Sequence, residues 1–148
     1  MSIKKFTLRQ ATEEDLAFLY NVSTEAMRPV VEALGHKEKG LSEYKEKFEP
    51  EKIQIIQSSG KDIGRLRVVR SSESIYIGGI QILPEFQGQG IGTAILEELI
   101  KESNEQNIPI ILEVHNVNTK ARAFYERLGF TKTEVMGEKL ILKYFPKL

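Results

Sequence analysis

The sequence predicts a single α/β domain of mixed strands and helices, and three observations carry that expectation. The first is a strand, a loop and a helix in direct succession: the strand-like segment Ile75 to Leu83, then Pro84, then Gln87-Gly88-Gln89-Gly90-Ile91-Gly92 running into Thr93 to Ile100. Ile91, Ala94, Ile95 and Leu99 recur there at helical spacing. The second is a meander, with Ile53, Ile55 and Ile56 in one strand, Ser58 to Asp62 as the turn, and Ile63, Leu66 and Val68 in the answering strand. The third is a closing hairpin, Thr131 to Met136 and Lys139 to Phe145, parted by Gly137-Glu138. At 148 residues one core suffices, since a chain of this size buries about two thirds of its unfolded surface.

Composition excludes several functions. Lys plus Arg equals Asp plus Glu at 21 each, so no net field draws in nucleic acid or an anionic membrane. The absence of cysteine removes disulfides and a cysteine nucleophile, and two isolated histidines, His36 and His115, make no zinc site without cysteine partners. No metal is expected. Met1 to Arg9 lacks the continuous apolar region of a signal peptide, and no stretch approaches the length that crosses a bilayer. The expectation is a soluble cytoplasmic protein with no nucleic-acid or membrane partner.

In chain order, Ile3 to Gln10 reads as a first strand, and Thr12 followed by Glu13-Glu14-Asp15 reads as a capped helix start with acids in its first turn. Leu16, Leu19, Tyr20, Ser23 and Met27 keep to one face as a core stripe. Pro29 is expected to stop or kink this helix near Arg28, with Val30, Val31 and Leu34 forming a second short piece before Gly35. His36 to Gly40 is a polar loop and Leu41 to Phe48 a short charged helix closed by Pro50. Ser71 to Ser74 is a turn, and Gly78-Gly79 inside the next strand signals a bulge or a close approach. Ile110 to His115 is a buried strand in a parallel or central position. In Asn118 to Phe130, Ala121, Phe124, Tyr125 and Leu128 share a helical face that Gly129 terminates.

The glycine loop carries the chemistry. Glycines at 88, 90 and 92 leave backbone N–H groups unshielded at the mouth of a helix, where the first-turn donors lack intrahelical partners and the partial positive charge suits a phosphate. A dinucleotide fold requires a third glycine where Thr93 stands, and no Gly-x-x-x-x-Gly-Lys run exists. What remains is Gln/Arg-x-x-Gly-x-Gly/Ala, matched by Gln87, Gly90 and Gly92. With Asn118-x-x-Ala121 and Phe124-Tyr125-x-x-x-Gly129-Phe130 downstream, the chain resembles the GNAT family of N-acetyltransferases. The motifs span about residues 76 to 131, and the order of elements outside them fits as well.

The resemblance implies an acyl-CoA N-acyltransferase fold, a mixed and mostly antiparallel sheet with splayed central strands and helices on both faces. It implies acetyl-CoA as donor, with the amides of Gln87, Gly88, Gln89, Gly90, Ile91, Gly92 and Thr93 on the pyrophosphate and the backbone of Ile80 and Ile82 on the pantetheine arm. Asn118 and Ala121 then lie near that arm, Arg122 serves the nucleotide phosphates, and Tyr20, Met27 and Arg28 line the acceptor pocket. Acetyl transfer needs a neutral amine, a stabilised oxyanion and relief of charge on the departing sulfur. The resemblance assigns Tyr125 to the sulfur, as hydrogen-bond donor or general acid, and Glu113 to the amine as base, matching the Leu-Glu-Val of ribosomal-protein N-acetyltransferases. His115 on the same face and a water relay are the other sources of a base, and glycine at 78 stands where many members carry an acid. With ordinary pKa values near 10 for tyrosine and about 8.5 for a thiol, full proton transfer from Tyr125 is uphill by about 2 kcal/mol.

From the residues alone, Asn118 is a helix cap, Tyr125 a core aromatic and Glu113 a solvent-facing or salt-bridged strand residue. The functional expectation is direct transfer to a primary amine of a small molecule, peptide or protein, by a monomer or a homodimer joined through the final hairpin. The alternative is a coenzyme-A-binding module without turnover.

Overall fold

The computed structural model describes residues 5–148. Ile3 and Lys4 of the first expected strand lie outside them. The elements are β1 Thr7–Gln10, α1 Leu16–Leu34, α2 Leu41–Glu46, β2 Gln54–Ser58, β3 Lys61–Arg70, β4 Ile75–Ile82, α3 Ile91–Gln106, β5 Ile110–His115, α4 Thr119–Arg127, β6 Thr131–Met136 and β7 Lys139–Tyr144. The sheet order is β1-β2-β3-β4-β5-β7-β6. Pairing is antiparallel between β1 and β2, β2 and β3, β5 and β7, and β6 and β7, and parallel between β4 and β5. This is the mixed, mostly antiparallel sheet that the fold class requires. The parallel register covers only Ile75↔Ile110 to Ile77↔Leu112. Beyond it β5 stays paired with β7 as far as His115↔Lys139, while β4 continues to Ile82.

The chain forms two compact units, the segment up to Arg67 with Gly79–Gly92, and Val68–Gly78 with Thr93–Leu148. In the first, Ala11, Leu19, Ile53 and Ile55 are buried together, with Phe18, Tyr44 and Phe48 packed against them. A fully buried aliphatic side chain contributes about 1.5–3 kcal/mol. A 3-10 turn, Glu13–Asp15, precedes α1, and the Asp15 carboxylate accepts the Thr12 N–H at 2.8 Å, so the acid at the helix start binds an otherwise orphan donor.

Two expectations need correction here. Helix α1 runs without interruption through Pro29 to Leu34. Proline removes one intrahelical donor, the one that would serve the Glu25 carbonyl four residues earlier, and Arg28 and Pro29 themselves are exposed. Val22 and Val30 are buried on either side and hold the helix on its core face. Helix α2 ends at Glu46 rather than Phe48; its Lys and Glu residues are exposed, while Tyr44 and the following Phe48 pack on the core.

In the second unit, α3 buries Ile95, Leu96 and Leu99, and the buried Ser103 hydroxyl donates to the Ile108 carbonyl. Strand β5 buries Ile110, Leu112 and Val114 in alternation and lies between β4 and β7, the central place expected for it. A relay of rings joins Phe124, Tyr125, Phe130 and Tyr144, with successive centroids 5.2, 5.6 and 5.8 Å apart. Tyr144 donates its hydroxyl to Asn104 Oδ1 at 3.0 Å. Strand β6 pairs with β7 and is exposed along its whole length.

Candidate functional site

The loop between β4 and α3 has the form of an anion cradle. Gly88 and Gly90 adopt left-handed φ of 73° and 84°, on either side of Gln89, and such turns of the backbone are the kind that form anion-binding concavities. A Cβ on Gly88 or Gly90 would meet nothing within 4 Å, so these positions favour glycine for conformation rather than space. Among the described residues no carbonyl accepts a backbone hydrogen bond from the N–H of Gly88, Gln89 or Gly90. The Gln87 N–H is taken by the Pro84 carbonyl at 3.2 Å. The loop is braced by its own amides: Gln87 donates through Nε2 to the Ile82 carbonyl at 2.8 Å, and Gln89 to the Glu85 carbonyl at 3.3 Å. Ile91 is buried and Gly92 and Thr93 are partly buried in the first turn of α3.

Ile80 and Ile82 are partly buried on β4, and the Ile82 carbonyl already accepts from Gln87. The close approach signalled by Gly78-Gly79 comes from Arg65 of β3: a Cβ on Gly79 would collide with Arg65 Nη1. That guanidinium donates to Gln81 Oε1 at 2.8 Å. Burial lowers the Arg65 pKa from its ordinary value, and the nearby Tyr44 hydroxyl offsets part of that shift. The Arg65 and Tyr44 side chains nevertheless do not meet hydrogen-bond geometry with one another, and Arg65 Nε and Tyr44 Oη are buried without a partner. Both residues line a cavity of about 240 Å³.

Tyr20, Met27 and Arg28 are not among the residues lining that cavity. Tyr20 stands behind its wall, with its ring edge-on to Tyr44 at 5.5 Å and its hydroxyl donating to the Lys39 carbonyl at 2.7 Å. Met27 is partly buried. Arg28 is exposed and held by Glu25 and Glu38 at 3.2 and 3.0 Å.

Glu113, Asn118, Ala121, Arg122 and Tyr125 belong to the second unit. Glu113 is exposed and accepts the Tyr76 hydroxyl on Oε2 at 2.8 Å, a contact between β4 and β5 that leaves Oε1 available. Asn118 caps α4, its Oδ1 accepting the Ala121 N–H at 3.2 Å. Arg122 pairs with Glu126 one turn on at 3.4 Å. Tyr125 is partly exposed as a residue, yet its hydroxyl lies deep enough that desolvation pushes its pKa up to about 12. Sequence reasoning missed Tyr76 and Arg65. The alternation of Arg65 and Arg67, which puts two cations on one strand face, was the readable signal for the second, whereas Tyr76 needed the β4–β5 register.

The acetyltransferase (GNAT) family model matches residues 16–130. The chain belongs to the GNAT family of acetyltransferases. This GNAT protein is 28% identical over 145 residues to the uncharacterized N-acetyltransferase MJ1207 of Methanocaldococcus jannaschii, covering 90% of this chain and 64% of that protein. It is 40% identical over 57 residues to the [ribosomal protein bS18]-alanine N-acetyltransferase of Escherichia coli, covering 38% of each. The chain thus spans less than two thirds of the length of these relatives. Among solved structures, the PaiA N-acetyltransferase of Thermoplasma acidophilum, determined in complex with coenzyme A, superposes with a TM-score of 0.76 at 20% identity over 95% of this chain and 99% of that one. This last likeness is one of fold. Among the described residues of the GNAT protein, no helix is long and apolar enough to cross a membrane and no group of three or more metal-binding side chains occurs.

Proposed function

We propose that this GNAT protein moves an acetyl group from acetyl-CoA directly to a primary amine of a small molecule, peptide or protein. One observation carries the reading: among the described residues the N–H groups of Gly88, Gln89 and Gly90 have no backbone acceptor at the mouth of α3. Two left-handed glycines flank Gln89, and the concavity that such turns form suits a diphosphate. The coenzyme supplies the activated acyl thioester. In this reading the amides of Gly88 to Thr93 hold its diphosphate while the Gln87 N–H stays on the Pro84 carbonyl, the backbone of Ile80 and Ile82 serves its pantetheine arm, and Asn118, Ala121 and Arg122 contribute to coenzyme binding. Glu113 takes the ammonium proton through Oε1 while Tyr76 fixes Oε2. Tyr125 donates a hydrogen bond towards the sulfur. With its pKa at about 12, outright proton transfer to a thiolate is uphill by about 5 kcal/mol, so hydrogen bonding is the role that its environment supports. The partial likeness to the bS18-alanine enzyme supports a peptide N-terminus among the acceptor classes.

The same high pKa favours a second reading, a coenzyme-A-binding module without turnover, in which no acid serves the leaving group. Calorimetry with acetyl-CoA, followed by coenzyme-release assays over an amine panel, separates the two. Gly90→Ala is the control for the loop. It forces an L-residue into a left-handed position at a cost of about 1–2 kcal/mol and should weaken coenzyme binding about tenfold. Unaltered binding in that variant would remove the loop from the site.

A further inference from the structure

The cavity beside α2 is built for a charge that the described chain does not supply. Four cations line it, Lys39, Lys47, Arg65 and Arg67, against two carboxylates, Glu43 and Glu49, and Glu49 is engaged by Lys52 at 2.9 Å. Arg65 is the deepest of the cations. Among the described residues its side-chain hydrogen bond goes to the neutral Gln81 carboxamide, and no ion pair with a carboxylate occurs for it there. A guanidinium withdrawn from water without a counter-charge is destabilising unless something else provides one. Here Nε, one arm of the planar fork that grips carboxylates and phosphates, is buried with no acceptor, and so is the Tyr44 hydroxyl.

We infer that this cavity takes the acidic group, a carboxylate or a phosphate, of the acceptor amine. The inference rests on the transferase reading above and narrows it to amines that carry an anionic group. Three features support it. The volume of about 240 Å³ lies below the usual range for drug-sized ligands and suits a group of amino-acid size. Arg65 and Tyr44 both line the cavity, and each keeps one polar atom without a partner, the guanidinium Nε and the phenol oxygen. The guanidinium also lies against Gly79, next in the chain to Ile80, so an anion on Arg65 brings its molecule to the strand on which the acyl arm is proposed to lie.

The test reads the Arg65 Nε–H resonance, assigned by its loss in Arg65→Lys, in titrations of the full chain with acetate and with inorganic phosphate at constant ionic strength. Coenzyme binding is measured on the same samples. A saturable shift of that resonance, weakened about tenfold in Tyr44→Phe, is expected, and the anion giving the tighter response names the group. In turnover, an amino acid should exceed its own amide by at least about tenfold in kcat/KM. Thermal melts establish that both variants fold, and Tyr44→Phe, which removes one oxygen, serves if Arg65→Lys does not. A resonance indifferent to both anions overturns the inference, as does equal turnover of acid and amide. Lost coenzyme binding with an intact anion response sinks the transferase reading instead and leaves an anion pocket.

Discussion

In the proposed transfer, the neighbourhood of Tyr125 bears on a role that residue identity leaves open. A tyrosine at its ordinary pKa could share its proton with a thiolate, whereas one pushed up to about 12 keeps it. Tyr125→Phe should therefore lower kcat by about tenfold, the scale of one hydrogen bond, rather than by the 10²–10⁴ typical of a lost general acid. A rate loss in the higher range, measured by single-turnover kinetics, would restore the acid. The same pKa acts on stability. Because the folded value exceeds the ordinary 10, the contribution is complete below pH 10 and disappears as pH rises to about 12. Denaturant melts across that window should show a decline that Tyr125→Phe reduces. For Glu113→Gln, kcat/KM at neutral pH should fall by about 10²–10⁴, and the deficit should shrink as pH approaches the pKa of the amine, which then needs no base. A deficit independent of pH would argue that Glu113 only anchors Tyr76.

At the scale of elements, α1 shows where pattern reading misjudges a helix. Proline was expected to stop or kink it and leave a second short piece, yet the helix is continuous from Leu16 to Leu34, with Val22 and Val30 buried on either side of Pro29. Propensity is a local preference, and here tertiary burial outweighs it. Pro29→Ala should stabilise the protein by about 1–3 kcal/mol, since alanine restores the missing donor and removes the ring. A fall in Tm would mean that proline's restriction of the unfolded chain dominates. Elsewhere the elements were legible because their signals are local: the glycine run before α3, the Asn118 cap, the alternation of β5. The contact of Tyr76 with Glu113 was not legible, because it depends on which residue of β4 faces which residue of β5. The inward packing of Tyr44 had no signal of its own, because one aromatic among Lys and Glu sets up no periodic stripe.

For the molecule as a whole, an equal number of acids and bases correctly says nothing about how they pair. Arg9 bonds Asp15 at 2.8 Å and Asp62 at 2.9 Å, linking β1, the turn before α1 and β3. Hydrogen bonding to Arg9 lowers the pKa of both carboxyls. Their contribution is therefore present above the ordinary carboxylate pKa of about 4 and is lost as pH falls through the lower folded values. Arg9→Gln should reduce stability at pH 7 by about 1 kcal/mol, given the partial exposure of the three groups, and should flatten the acid limb of the stability profile. An unchanged acid limb would show that other groups govern acid unfolding.

The outermost strand has one further consequence. Strand β6 presents Val135 and Met136 at 60% and 56% exposure, the apolar open margin on which neighbouring molecules stack into fibrils. Its ladder with β7 slips between Lys132 and Glu134, so no arriving chain finds an unbroken row of rungs, and the slip carries a charge on either side. Concentrated solutions should accordingly stay clear on standing, and replacing both Lys132 and Glu134 by valine should make them scatter light.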